Sequence, residues 1–163
     1  MAFPIPPITP YLIVSNAAKA IEFYTTAFGG TLDGEPHVMP GTNKIMHARV
    51  VINGGLIMLA DDFHPEQAQP ATTPEAIGGT PVMLALQLED AQAFWDRAVR
   101  GGAIVDMPLA KMFWGSLYGH LVDPFGHKWS VTQELVQLSD EEMQQAAIEE
   151  FAEKGTLLGE SNT

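Results

Sequence analysis

The chain has five histidines, His37, His47, His64, His120 and His127, and no cysteine. Without thiols there are no disulfides, thiolate metal sites or cysteine nucleophiles, so any metal must rest on His, Asp or Glu. His37 and His64 fall in stretches that read as solvated loop, and His127 closes the turn "DPFGH", where bonding to backbone is the plainest role. His47 precedes "ARVVI", alternating with Arg49 and opposite Met46, Ala48, Val50 and Ile52. A strand therefore puts it on a polar face. His120 opens the strand before the turn. Imidazole titrates near neutrality, which makes His47 and His120 the candidates for general acid or base work. As a metal pair they would be a weak centre, two ligands with no carboxylate.

The other polar chemistry follows the same turn. Asp123-Pro124-Phe125-Gly126 has the residues of a type I turn, with Pro fixing φ and Asp bonding the backbone ahead. Beyond it, His127, Trp129 and Val131 share one face of a strand, while Lys128, Ser130 and Thr132 share the other. "GGTP" and "NGG" are turns without the following helix that a phosphate loop needs, and no nucleophile elbow or dinucleotide fingerprint occurs.

Two similar units position these residues. In "ITPYLIVSNAAKAIEFYTTAFGG", a strand over 8–14 leads through an Asn16 cap to a helix over 17–28, stopped by Gly29-Gly30. In "PVMLALQLEDAQAFWDRAVRGGAIV", a strand over 82–88 leads through Asp90 to a helix over 91–100, stopped by Gly101-Gly102. The caps are 74 positions apart and the glycine pairs 72, which a two-residue difference in helix length explains. Further strands are expected over 44–52 and 56–60, hinged on "NGG", and over 103–105, 118–122 and 128–133. The simplest architecture is α+β, a tandem β-α-β-β-β repeat in one domain, with modules at about 5–61 and 81–135 and a polar loop linker at about 62–80. A capping box, Ser139 to Glu142, starts a C-terminal helix over about 139–154 that ends at Gly155. Its stripe of Leu138, Met143, Ala147, Ile148 and Phe151 would pack on the body or on a second subunit. The last residues, 155–163, are expected to fray.

Composition narrows the partners. At 163 residues, 46% hydrophobic and 17% charged, the chain suits a globular, cytoplasmic protein. No apolar run approaches the ~18 residues of a membrane span. A formal charge of −12 disfavours nucleic acid and anionic membranes, which call for a basic patch.

The blocks "TPYLIVSNAAKAIEFYTTAFGG", "MPLAKMFWGSLYGHLVDPFGHKWSVTQ" and "LSDEEM" together resemble the vicinal oxygen chelate superfamily of glyoxalases, bleomycin-resistance proteins and extradiol dioxygenases, most of all its PhnB-like branch. The resemblance runs over about residues 5–152. It implies paired βαβββ modules whose mixed sheet forms a cup, usually in a homodimer. In the metal-dependent members a divalent ion sits in the cup on four ligands, mostly His and Glu. Carried onto this sequence, those positions are Thr9, Met58, Met83 and Ser130. None is an imidazole or carboxylate, and thioether and hydroxyl are poor substitutes for them. A shift of one residue finds only Ile57, Leu59, Val82, Leu84, Trp129 and Val131 at the last three positions. The expectation is therefore that no cofactor is held at the family position.

"KMFWGSLYG" gathers Phe113, Trp114 and Tyr118 around a glycine, and Met58 and Met83 would face the same cup. Such a lining suits a flat or apolar small molecule, with Arg49, Gln87, Ser130 and Thr132 as polar anchors. The same aromatics could instead seal a dimer interface. Phe94, Trp95 and Trp129 read as structural. The first functional expectation is a dimeric protein that holds a small aromatic or amphipathic ligand in the cup. The second is a metal-dependent lyase or dioxygenase with a displaced site built on His47 or His120, and the third a scaffold whose acidic helix meets a protein partner.

Overall fold

The computed structural model describes residues 3–67 and 69–153. The first unit comprises β1 (Tyr11–Val14), α1 (Ala17–Thr26), the two-residue strands β2 (Thr31–Leu32) and β3 (His37–Val38), β4 (Ile45–Ile52) and β5 (Gly55–Asp61). A 3-10 turn at Pro65–Gln67 and a short helix, α2 (Pro74–Ile77), interrupt the connection that sequence reads as plain loop. The second unit comprises β6 (Met83–Gln87), α3 (Ala91–Arg100), β7 (Ile104–Lys111), β8 (Ser116–Val122) and β9 (Lys128–Glu134), and α4 (Asp140–Glu153) follows. The strand order is β1-β5-β4-β2, with β3 also on β4, in one sheet and β6-β9-β8-β7 in the other. In each unit the first strand runs parallel to the last, and the other pairings are antiparallel. The fold is thus the expected α+β pattern of tandem βαβββ units with a C-terminal helix.

Local chemistry explains the boundaries. Asn16 and Asp90 cap α1 and α3 by accepting the amides of Lys19 and Ala93, both at 2.9 Å. Asn53 and Gly54 have φ of 47° and 76°, the paired positive values of a tight hairpin turn between β4 and β5. The amide of Gly126 closes the Asp123 turn onto the Asp123 carbonyl at 3.0 Å. Both long helices of the units have 10 residues, so the two-residue offset lies in the exit of α1, at Ala27 and Phe28, and not in helix length. A Cβ on Gly101 would lie 2.4 Å from the Cβ of Ala27, so only glycine lets the ends of α1 and α3 meet.

The core lies between the helices and one face of each sheet. Leu12, Val14, Val50, Ile52 and Leu59 from one sheet and Leu86, Leu121, Trp129 and Val131 from the other are buried against Tyr24, Phe94 and Ala98. Phe28 joins the units, packing on Phe94 at 4.9 Å and edge-on to Trp129 at 5.0 Å. The buried carboxylate of Asp123 gathers four donors: the Tyr24 hydroxyl at 2.6 Å, Trp129 Nε1 at 2.9 Å, and the amides of Phe125 and His127 at 2.9 and 3.0 Å. Burial, then the charge of Asp123 and its hydrogen bond, push the Tyr24 phenol well above its ordinary pKa. Trp129 is structural, as its sequence position indicates.

The capping box forms, with the Ser139 amide donating to Glu142 Oε2 at 2.8 Å and the Glu142 amide to Ser139 Oγ at 3.2 Å. Those bonds hold the Glu142 carboxyl below its usual pKa. The expected helix end at Gly155 and the frayed tail lie outside the described residues.

Candidate ligand face and its polar clusters

Each sheet turns one face to the helices and leaves the other open. On the open face of the second sheet, cross-strand register sets the side chains in rows: Gln87, Thr132 and Tyr118, then Ala85, Ser130 and His120, then Met83, Lys128 and Val122. Strand alternation drives this, because Trp129 and Val131 take the core side of β9. The β7–β8 turn, Met112–Gly115, presents Phe113 and Trp114 half-buried. Aromatic contacts then run in series: Phe113 to Trp114 at 4.9 Å, Trp114 to Tyr118 at 5.6 Å and Tyr118 to His120 at 5.0 Å, all edge-on. Phe151 of α4 meets Phe113 at 5.9 Å.

Polar groups border that row. His120 Nε2 lies 2.9 Å from the Tyr118 hydroxyl, and Asp106 Oδ2 lies 3.8 Å from His120 Nδ1 and 3.7 Å from Lys128 Nζ. Ser130 is on the same strand face as Lys128 and Thr132 but is buried at 4% exposure. A phenol, an imidazole and a carboxylate in sequence can pass or hold a proton.

The open face of the first sheet carries a separate cluster. Tyr11, Met58 and Arg49 stand in one row. Tyr11 lies 3.1 Å from His47 Nδ1 and 3.2 Å from the Met46 carbonyl through its hydroxyl. Arg49 pairs with Asp33 at 2.7 Å and also donates to the Phe3 carbonyl. Burial first, then the charges of His37 and Arg49, lower the His47 pKa, so the neutral imidazole dominates at neutral pH. Burial raises that of Tyr11.

Of the residues singled out in the sequence, Arg49 and Met58 stand on the open face of the first sheet, and Met83, Gln87, Tyr118, Ser130 and Thr132 on that of the second, flanked by Phe113 and Trp114. His47 and His120 lie on different sheets with different partners. His37 is exposed, as expected, but stands in a strand directly opposite His47 and not in a loop. Sequence reading missed His37, Tyr11 and Asp106. A two-residue strand is too short to show periodicity, and the reach of β7 to Lys111 places Asp106 inside a strand that sequence ends at Val105. His127 keeps its turn role and reaches further, with Nε2 3.1 Å from the Ile13 carbonyl. A cleft of about 650 Å³ lies where the β4–β5 turn meets the start of α3, lined by Phe28, Asn53, Gln87, Asp90 and Arg97.

The positions that the resemblance assigns to a metal, Thr9, Met58, Met83 and Ser130, carry no imidazole or carboxylate. Thr9 lies outside β1 and spends its hydroxyl on the Pro6 carbonyl at 3.0 Å. Met58 and Met83 offer thioethers, and the cross-strand partner of Met83 is Lys128, whose ammonium lies 3.7 Å from Asp106. Among the described residues no three His, Asp or Glu side chains converge as a metal-binding group.

Comparison with known proteins agrees with this architecture. The glyoxalase/bleomycin resistance protein/dioxygenase superfamily model matches residues 5–131. An uncharacterized protein of Mycobacterium bovis is 39% identical over 142 residues, covering 86% of this chain and 91% of its own. The crystal structure of protein PA1353 from Pseudomonas aeruginosa aligns with a TM-score of 0.61 at 31% identity, over 80% of this chain and 98% of that one. The structure of a putative 3-demethylubiquinone-9 3-methyltransferase, PhnB protein, from Bacillus cereus shares the fold at 22% identity, with a TM-score of 0.58 over 78% of this chain and 99% of that one. With the matched model spanning most of both units and a close relative aligned over nearly its whole length, the chain belongs to the glyoxalase/bleomycin resistance protein/dioxygenase superfamily.

Proposed function

We propose that this chain is a binding member of its superfamily, of the PhnB-like branch, that holds a small aromatic or amphipathic molecule on the open face of its second sheet with no metal at the family position. It would act as one domain, with modules over 5–61 and 81–135 joined by 62–80, and as a homodimer. The observation that carries the reading is the edge-on series Phe113–Trp114–Tyr118–His120 beside the hydroxyls of Ser130 and Thr132. Aromatic edges and faces bind a flat ring, while hydroxyls and the Gln87 amide fix its orientation. Met83 would supply adaptable apolar contact.

The test is titration of the untagged protein with a panel of planar aromatic acids, amides and amines, followed by tryptophan fluorescence. Trp95 and Trp129 are buried, so the half-buried Trp114 is the reporter. A saturable change in wild type, weakened about tenfold in Trp114→Ala, supports the reading. No binding across the panel in wild type would count against it.

The hydrogen-bonded Tyr118–His120 pair beside Asp106 favours a second reading, an enzyme of lyase or dioxygenase type whose proton transfer runs through His120. Loss of turnover in His120→Ala with ligand binding kept would establish it.

A further inference from the structure

We propose that His37 and His47 form a two-histidine site for a late first-row divalent metal such as Zn²⁺, Ni²⁺ or Cu²⁺, displaced from the family position and independent of the ligand face on the second sheet. The two residues are cross-strand partners of β3 and β4, and their ring centroids lie 5.7 Å apart. At a metal–nitrogen distance of ~2.1 Å, an ion lies roughly 3.2 Å from the centroid of each imidazole that binds it. Two such rings with centroids 5.7 Å apart therefore subtend about 125° at one ion. Bringing the centroids to about 5.2 Å would make that angle tetrahedral.

The surroundings suit the role. The Tyr11 hydroxyl can donate to the Met46 carbonyl, 3.2 Å away, and accept from His47 Nδ1 at 3.1 Å. That arrangement keeps the proton on Nδ1 and the lone pair on Nε2, as outer-shell partners do for metal-bound histidines. The adjoining hollow of about 270 Å³ is lined by Asp33, Glu35, His37, His47 and Arg49. Arg49 is the opposing charge, but Asp33 pairs with it at 2.7 Å, leaving Glu35 as the balance of charge facing a cation. With two protein ligands, water or a substrate atom would complete the coordination.

Calorimetry on the full untagged chain at pH 7.5 with ZnCl₂, NiCl₂, CuCl₂ and MgCl₂ tests the proposal. The expected result is one equivalent of Zn²⁺ or Ni²⁺ bound in the micromolar range, Cu²⁺ more tightly, and Mg²⁺ not at all. His37→Ala and His47→Ala should each weaken binding tenfold or more. The exposed position of His37 keeps its variant folded even if His47→Ala proves unstable. Tyr11→Phe should weaken binding less, by loosening His47 alone. Absence of Zn²⁺, Ni²⁺ and Cu²⁺ binding at 100-fold excess, or unchanged binding in the folded His37→Ala variant, would overturn the proposal.

Discussion

On the reading proposed above, Thr9, Met58, Met83 and Ser130 occupy the family metal positions, and none supplies an imidazole or carboxylate. Restoring one ligand leaves three positions without imidazole or carboxylate. Ser130→Glu with added Ni²⁺ is therefore expected to give no methylglyoxal–glutathione turnover, and turnover above the wild type would refute the assignment of these positions. His47 makes a second prediction at this scale. Its pKa is lowered in the fold, so the unfolded state binds the proton more readily between the folded and unfolded values. Its contribution to stability falls as pH drops below about 6.5. In a metal-free proton NMR titration its midpoint should lie below that of an unperturbed imidazole, and a midpoint above it would contradict the burial and charge that surround the ring. Of these residues, Ser130 and Thr132 were legible because β9 alternates cleanly. His37 was not, because nothing in "EPHVM" marks a strand that exists only through pairing to β4.

Among the elements, the turn between β8 and β9 ties the two units together. Asp123 accepts from Tyr24 of α1 and Trp129 of β9 while holding two amides of its own turn. Asp123→Ala would orphan four donors, three of them buried, and a loss of about 3–5 kcal/mol in urea unfolding is expected. A loss under 1 kcal/mol would show that water replaces the carboxylate freely. Gly101→Ala should also destabilise, through contact with Ala27, and by more than Gly55→Ala, whose Cβ would meet only the Ile52 carbonyl at 3.4 Å. Element type was readable wherever caps, turns and apolar spacing agreed, as at Asn16, Asp90 and the β4–β5 hairpin. What sequence missed were pieces with no local signature: β2 and β3, each two residues long, and α2 within the linker. The extent of β7 was also missed, since Pro108 argues against a strand; the structure accommodates it on the sheet edge, where an absent amide costs no ladder bond.

Across the whole molecule, the apolar surface left outside the core speaks for assembly. Ile104 and Val105 on edge strand β7, and Met83 and Tyr11 on the open faces, are exposed at 65%, 42%, 37% and 47%. A second copy covering such groups would shelter them from water, and light scattering is expected to report a dimer; a monomer at 100 μM would remove that part of the proposal. The described part of α4 leaves Met143, Ile148 and Phe151 exposed, with Phe151 touching Phe113. That contact puts the C-terminal helix beside the aromatic row, a relation across the chain that the spacing of its apolar stripe leaves open. No helix among the described residues is long and apolar enough to cross a membrane.

The most direct test of the central claim is ligand binding to the second-sheet face in the presence of EDTA. Titration of wild type and Trp114→Ala with the aromatic panel, with and without the chelator, reads affinity and metal dependence together. Saturable binding that EDTA leaves unchanged and Trp114→Ala weakens about tenfold is the predicted result. Binding that EDTA abolishes in wild type, or that Trp114→Ala leaves intact, would contradict it.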